Sequence, residues 1–536
     1  MCIRSRNAAG LAALKRSRNR AAIVERTGAV LLLVPQSTCW RTARAERAGL
    51  IVDVQDYYAA AKEAMSHATR SIHILGWAWD PDTPFAPTEP GEGEPDRWGP
   101  YLRDLSNAKP DLDIRLLVWK SALPIAATQN FFPHRARKCF EGSRVNFRLD
   151  ASIPLGACHH QKVIVVDDRL AFCGGCDVGP DRWDTLLHHD DDPRRHTGHG
   201  GRTSGKGYFE CRHETMAVVD ADAARELGQL FRNRWERSTG EILLPVLETP
   251  DGPDPWPTGV KVSFRKALVG LARSEPQWNH HPEVRETERL HLASLGSARR
   301  LIYMENQYFA SPIMAEALAA CLQKKRGPEV VLVSTQHSPS WFDQMTMDRT
   351  RLLFLKRLRE ADLYGRLSTF CPVTPKGRSI IVHSKLSIID DQLVRIGSAN
   401  INNRSTGFDT ECDLAIEAED QPSRDAINEF LADLVGHWIA QSGQAMSKAM
   451  NEHGTLAGAI RSLDEKNRLR PIPEKTITAW DNFIANGHLG DPAGPKDSWR
   501  PWTRRWELRK QLRRLSVELE RVGLEAPVDD LSPETV

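Results

Sequence analysis

An eight-residue pattern, His-x-Lys-x4-Asp, occurs twice in this chain of 536 residues. The first copy is His160, Lys162 and Asp167, and the second is His383, Lys385 and Asp390. Gly174-Gly175 trails the first copy, and Gly397-Ser398-Ala399-Asn400 trails the second. Three fixed residues coincide by chance at roughly one position in eight thousand, so two copies with a shared continuation indicate an internal duplication. Its period is 383 − 160 = 223 residues. Any fold for this chain must be built twice and must hold two imidazole–ammonium pairs in equivalent places.

Each pattern runs into an apolar stretch, Val163-Ile164-Val165-Val166 in one half and Leu386-Ser387-Ile388-Ile389 in the other. In an extended chain, residues i and i+2 project to the same side. His160 therefore shares a face with Lys162, and His383 with Lys385. Ser384 is turned to the opposite face and is given no catalytic role. One such pair would read as two ordinary polar surface residues. Two pairs with a common continuation read as a site.

The flanking sequence repeats one programme. The first half offers a helix over 56–69, a buried strand over 71–77 and strand candidates at 114–119 and 145–149. The second offers a helix over 286–298, a strand over 301–304, helices over 312–325 and 342–361, and strands over 330–333 and 367–373. Alternating strands and helices predict an α/β fold of two tandem, pseudo-symmetric lobes with mixed sheets. An amphipathic helix over 222–237 closes the first half, and four prolines, Pro250, Pro253, Pro255 and Pro257, suggest a linker. The expected division is a basic extension (1–38), a first lobe (39–247), a linker (248–258), a second lobe (259–440) and a polar, helical extension (441–536).

The length exceeds what one ordinary core accommodates. A formal net charge of +2 carries no general polyanion-binding signal. The arginine-dense stretches 4–26 and 500–514 read as solvated faces. Ten cysteines without a framework spacing suit a reducing compartment, and Cys173 with Cys176 reads as a pair of core thiols. No run approaches the ~20 apolar residues of a membrane span. The stretch 29–34, ended by Pro35, reads as a short strand. His188, His189, His196 and His199 beside Asp190, Asp191 and Asp192 fit no common metal spacing and read as a solvated insertion. Trp77 and Trp79 are expected to pack at a strand end.

Two histidines and two lysines meeting across a pseudo-dyad would form a cationic pocket whose natural occupant is a phosphodiester. Lysines stabilise the charge that grows on the non-bridging oxygens. One imidazole can attack phosphorus while the other protonates the leaving oxygen and then deprotonates water or an alcohol. A nearby carboxylate can fix the tautomer of each ring.

These residues resemble the phospholipase D superfamily, identified by the duplicated His-x-Lys-x4-Asp with trailing Gly-Gly or Gly-Ser. The resemblance extends from about Cys39 to about Trp438 through the segments Gly76 to Asp80, Gly175-Cys176-Asp177 with Arg182 to Asp184, Glu305 to Phe309, and Asn402 to Ser405, all as in larger bacterial members. It implies two α/β lobes with the active site at their interface and a phosphohistidine intermediate, without cofactor or metal. It further implies His160 as nucleophile and His383 as general acid/base, with Lys162, Lys385 and Asn400 on the phosphate oxygens. Glu411 is expected behind His383, and Glu214 behind His160. Gly175, Asp177 and Ser398 are grouped with the substrate-binding positions, although Asp177 stands where the second copy has Asn400 and a carboxylate is a poor phosphate ligand. Asp167 and Asp390 are expected to brace loops.

Four functions are compatible with such a chain. The leading expectation is a metal-independent phosphodiesterase that cleaves glycerophospholipid headgroups, with water or an alcohol as acceptor. A cardiolipin-synthase-like phosphatidyltransferase is the alternative. A nuclease is disfavoured by the neutral charge, since phosphate contacts dominate nucleic-acid affinity. Loss of activity is disfavoured by both intact His-Lys pairs. The expected setting is a cytoplasmic monomer in transient contact with a membrane surface and without a nucleic-acid partner.

Overall fold

Two long strands, Arg41–Val52 (β1) and Phe264–Glu275 (β9), pair antiparallel at the centre of the molecule, from Arg41 opposite Leu271 to Ala48 opposite Phe264. The structure, a computed structural model, describes residues 31–89, 93–121, 133–195, 207–246, 252–487 and 490–494, together with positions 513, 515 and 517. The basic stretch 4–26, His196, His199, part of the linker, Trp499, Trp502, Trp506 and most of 500–514 lie outside the described residues.

Each central strand begins one half of a single mixed sheet. The first half adds Ser71–Gly76 (β2), Asp113–Trp119 (β3), Asn146–Asp150 (β4), Val163–Val166 (β5), Leu170–Gly174 (β6), Arg212–His213 (β7) and Thr215–Asp220 (β8). The second adds Val284–Arg285 (β10), Leu301–Glu305 (β11), Glu329–Val333 (β12), Leu367–Pro372 (β13), Ile381–Val382 (β14), Leu386–Ile389 (β15), Leu393–Gly397 (β16), Glu411–Glu417 (β17) and Leu469–Pro471 (β18); of all these, β7 and β14 do not join the main sheet but pair with each other as a separate two-stranded sheet. The strand order is β4-β3-β2-β5-β6-β8-β1 in one half and β13-β12-β11-β15-β16-β17-β9 in the other. The β1–β9 pair fuses them, and β18 extends the far edge beyond β13. Strand for strand, one half repeats the other.

Within each half, three strands run parallel (β2-β3-β4 and β11-β12-β13), and helices connect several of them. Helix Trp98–Ala108 lies between β2 and β3, while Pro312–Gln323 and Trp341–Ala361 link β11 to β12 and β12 to β13. Parallel neighbours need such crossovers, whereas the β5–β6 and β15–β16 hairpins need only a tight turn. Asp167 and Asp390 open those turns at φ 55° and 52°. The Asp167 carboxylate accepts the amides of Thr69, Arg70 and Ser71, and that of Asp390 accepts those of Arg299, Arg300 and Leu301. Each signature aspartate thus ties its turn to the start of the neighbouring strand.

The 29–34 stretch is not a strand where it is described. Leu32 and Leu33 are buried, and their amides donate to the Glu417 carboxylate at 3.0 and 3.1 Å. A side chain thus takes the place of a ladder partner. The expected 56–69 helix runs Val54–Ser66, and the 222–237 helix runs Ala221–Thr239, with Leu227, Leu230, Phe231 and Trp235 buried as expected. Among the described residues, no helix is long and apolar enough to cross a membrane.

Candidate active site

Both His-x-Lys segments lie in extended chain just ahead of β5 and β15, and both are held by the other half. The amide of His383 donates to the His213 carbonyl at 2.9 Å, because β14 pairs in parallel with β7. The amide of His160 donates to the Thr410 carbonyl, also at 2.9 Å. In each case the accepting residue immediately precedes a glutamate. That places Glu214 Oε2 2.6 Å from His383 Nδ1, and Glu411 Oε2 2.9 Å from His160 Nδ1. With Nδ1 occupied by a carboxylate, Nε2 is the free edge of both rings.

This pairing corrects the sequence expectation. Glu411 backs His160, not His383, and Glu214 backs His383, not His160. The family resemblance implied the opposite assignment. The carboxylates cross because β7 and β17 present them over the seam to the facing half.

The remaining motif residues divide between ligand-facing and supporting positions. The ammonium of Lys162 lies 3.1 Å from Asp177 Oδ2 and donates to the His160 carbonyl at 2.9 Å. Lys385 donates to the His383 carbonyl. Asp177 is engaged by the scaffold as well: its other oxygen accepts the amides of Trp77 and Ala78 at 2.9 and 3.2 Å. Ser398 is likewise supporting, since its hydroxyl donates to Glu411 and accepts from the Cys412 amide at 3.0 Å. Gly175 leaves room for the acid: a Cβ there would sit 2.4 Å from Glu214 Oε1 and 3.0 Å from Lys385 Cδ. Asn400 differs from all of these, because its buried Oδ1 has no hydrogen-bond partner among the described residues. Ser384 faces away, as expected, and donates to Glu305 Oε2 at 2.6 Å.

Burial sets the electrostatics. It holds His160 well below the usual imidazole range, helped by Lys162 and Lys385, and does the same to His383, helped by Lys385 and Arg212. Burial also raises Glu214 to about 7 and Glu411 to about 8. Lys385 is lowered to about 7, chiefly by burial, with Glu214 opposing and Lys162 adding to the shift. A buried, closely spaced set of two neutral-leaning imidazoles and two lysines is suited to an anionic substrate that passes through a more highly charged state.

Trp77 borders the site, stacked on Trp119 at 5.9 Å and edge-on to His160 at 6.3 Å, whereas Trp79 is buried against Phe140. Cys173 approaches Cys412 in the core, and Cys176 donates to the Asp177 carbonyl. The stretch around 188–192 is not a solvated insertion. Asp190 is buried and accepts the Lys376 amide at 3.0 Å, while His188 is buried beside Asp53, His213 and His437. Docking against the second half explains the difference. Asp53, Glu305 and His437 escaped sequence reasoning as a group, for no spacing relates residues so far apart.

A family model described as "Cardiolipin synthase, PLD-like domain" matches residues 292–435, which include the second motif. Phospholipase D A of Dictyostelium discoideum is 25% identical over 434 residues, covering 69% of this chain and 33% of that protein. Phospholipase D alpha 2 of Arabidopsis thaliana is 23% identical over 510 residues, covering 69% and 62%. Cardiolipin synthase of Geobacillus thermodenitrificans is 25% identical over 296 residues, covering 55% and 47%. The chain thus spans from a third to less than two thirds of the length of these relatives. The crystal structure of phosphatidylserine synthase from Haemophilus influenzae Rd KW20 superposes with a TM-score of 0.51 at 11% identity, over 79% of this chain and 96% of that one. That likeness concerns the fold.

Proposed function

The chain belongs to the phospholipase D superfamily, and from that premise we propose that it cleaves the headgroup phosphodiester of a glycerophospholipid through a covalent histidine intermediate. The observation that carries this reading is the pair of histidines, each with a buried carboxylate on Nδ1 supplied by the opposite half.

His160 Nε2 attacks phosphorus, a P–N bond forms and the bond from phosphorus to the headgroup oxygen breaks. The neutral His383–Glu214 pair holds one proton on Glu214, toward Nδ1, and one on Nε2; the Nε2 proton passes to that departing oxygen while the Glu214 proton moves to Nδ1. His383 then takes a proton from water or an alcohol, whose oxygen attacks phosphorus and releases His160. Water yields phosphatidic acid, and an alcohol yields a phosphatidyl-alcohol. Lys162, Lys385 and the Asn400 amide hold the non-bridging oxygens while their charge grows, which is the differential stabilisation that lowers the barrier.

Exposed aromatic surface supports a lipid substrate. Trp341, Phe342 and Met345 open the helix Trp341–Ala361, and the stacked pair Trp480 and Phe483 lies on the neighbouring helix Ala479–Asn486. Asp343 of the same helix reaches Tyr308, two residues past Asn306, whose Oδ1 accepts the Ile401 amide beside Asn400. The patch therefore adjoins the site and suits transient contact with a bilayer surface.

Phosphatidyl transfer between lipids is the second reading, favoured by the cardiolipin-synthase model match. One assay separates the outcomes. Purified protein is incubated with phosphatidylcholine vesicles and a primary alcohol, and separately with phosphatidylglycerol alone. Phosphatidic acid and phosphatidyl-alcohol, both lost in His160→Ala and His383→Ala, support the first reading, and cardiolipin from phosphatidylglycerol supports the second. Cleavage of single-stranded DNA with no action on either lipid would overturn both.

A further inference from the structure

Behind His383, on the side away from its free Nε2, a second cluster of ionisable groups is buried at the junction of the halves. Asp53, His188 and His213 come from the first half, and His437 comes from the last turn of helix Gln421–Trp438 in the second. One ligand atom from each lies within 4.8 Å of the others. His188 Nε2 is 3.4 Å from His437 Nε2 and 3.4 Å from Asp53 Oδ2, and His437 Nε2 is 3.8 Å from Asp53 Oδ2. Ligands at zinc's usual 2.0–2.1 Å stand about 3.3 Å apart at the corners of a tetrahedron, close to these spacings.

Two further observations point to a cation. Asp53 Oδ2 is buried in this cluster and has no hydrogen-bond partner among the described residues, although buried polar atoms are ordinarily satisfied, while its Oδ1 lies 3.1 Å from His213 Nδ1. The outer edges of two histidines are also held by carboxylates: His188 Nδ1 lies 2.9 Å from Asp184 Oδ2, and His213 Nε2 lies 3.0 Å from Glu305 Oε2. That is how metal-bound imidazoles are commonly oriented, with the inner nitrogen left as a lone pair. Glu305 is fixed in turn by Tyr303, Trp438 and Ser384. Three buried carboxylates thus surround three histidines. Arg195 approaches only Asp184, with its Nε at 3.4 Å from Oδ1.

We propose that Asp53, His188, His213 and His437 bind a divalent transition metal ion, with zinc the best fit to an imidazole-rich tetrahedral set. Four protein ligands leave no open position, so the ion is structural. It would pin the second half, through His437, to the segment that carries Glu214. The Glu214 amide donates to Asp53 Oδ1 at 3.0 Å, and the Asp53 amide donates to the Glu214 carbonyl at 2.8 Å. The ion would thereby position the carboxylate behind His383 without touching substrate.

The test uses the full chain without a histidine tag, stripped with a strong chelator and dialysed against micromolar zinc sulfate. Elemental analysis should find about one zinc per chain. X-ray absorption should give a nitrogen/oxygen shell at roughly 2.0–2.1 Å with no sulfur. His437→Gln, at the least enclosed ligand, should retain its circular dichroism and lose zinc affinity by about 10-fold or more. Wild-type protein that takes up no zinc holds a proton-bridged histidine cluster instead, which overturns the proposal. So does equal zinc uptake by His437→Gln, or a sulfur-containing shell. Metal content is read independently of any lipid assay, so this inference and the proposed activity stand or fall separately.

Discussion

The Glu411 carboxylate lies 2.9 Å from Nδ1 of His160, and the two residues belong to opposite halves of the chain. The Glu214–His383 contact at 2.6 Å is its mirror. Each half therefore supplies one histidine and the carboxylate that orients the histidine of the other.

Replacing either carboxylate should impair chemistry more than binding. Glu411→Gln is expected to lower kcat by about 10²–10³-fold with little change in KM, because an amide cannot support the positive charge that the His160 ring acquires when Nε2 bonds phosphorus. Steady-state kinetics on phosphatidylcholine, with circular dichroism as a folding control, checks this. An unchanged kcat would remove Glu411 from the mechanism.

Lys385 gives the pH dependence its alkaline limb. Its folded value is lowered from 10.5 to about 7, so the ammonium is present below that pH and lost above it. The rate constant kcat/KM should decline as pH rises through about 7. In Lys385→Arg, whose guanidinium stays charged, the limb should vanish from whatever activity remains. A pH–rate profile from 5.5 to 9, on the order of the range where such groups titrate, decides the point.

Gly175→Ala should leave a folded but slow enzyme. The added methyl would approach Glu214 Oε1 at 2.4 Å and must push that carboxylate away from His383. A loss of about 10–100-fold in kcat is expected, since misplacing a catalytic group by an ångström has effects of that order. Retained near-ultraviolet circular dichroism would separate this outcome from unfolding.

Asp177→Asn should destabilise the fold. Lys162 and Asp177 are each only 2% exposed, and removing one member of such a pair leaves an uncompensated buried charge. The expected cost is about 3 kcal/mol, read as a lower midpoint of urea unfolding at unchanged slope.

Substituting Trp341 and Phe342 together by serine should weaken sedimentation with phosphatidylcholine vesicles by about 10-fold or more, given the area that two aromatic rings can bury. Hydrolysis of a short-chain, monomeric phospholipid should stay within about twofold of wild type, since Trp341 and Phe342 are exposed and, among the described residues, make no ring contact with the His-Lys pairs. Equal losses on both substrates would count against a membrane-docking role.

The sequence made legible whatever repeats or has a period. The His-x-Lys pairs, the bracing role of Asp167 and Asp390, the helices over 286–298 and 312–325 and the buried β2 and β11 were all accessible from spacing and hydrophobic pattern. The central strands were not. In β1 the inward positions Ala45 and Ala48 are small and lie among Arg44, Glu46 and Arg47, so no strand-like apolar alternation stands out. The crossed carboxylates were hidden for a different reason. Which glutamate reaches which histidine depends on β7 meeting β14 and on Thr410 meeting His160, pairings between segments more than 150 positions apart along the chain. The scaffold contacts of Ser398 and Asp177 were hidden because a hydroxyl and a carboxylate beside a phosphate site look alike in sequence whether they face ligand or scaffold.

The crossing of the carboxylates also bears on heredity. A chain holding one half alone would carry a histidine lacking its partner acid and an acid lacking its histidine, and would become competent only by meeting a second copy. Once fused, the two copies cease to be spare parts for each other: damage to either motif removes a group from both ends of the reaction. Duplication here has produced mutual dependence in place of redundancy, so the two halves must be inherited as a unit even while their sequences drift apart, as Asp177 and Asn400 already have.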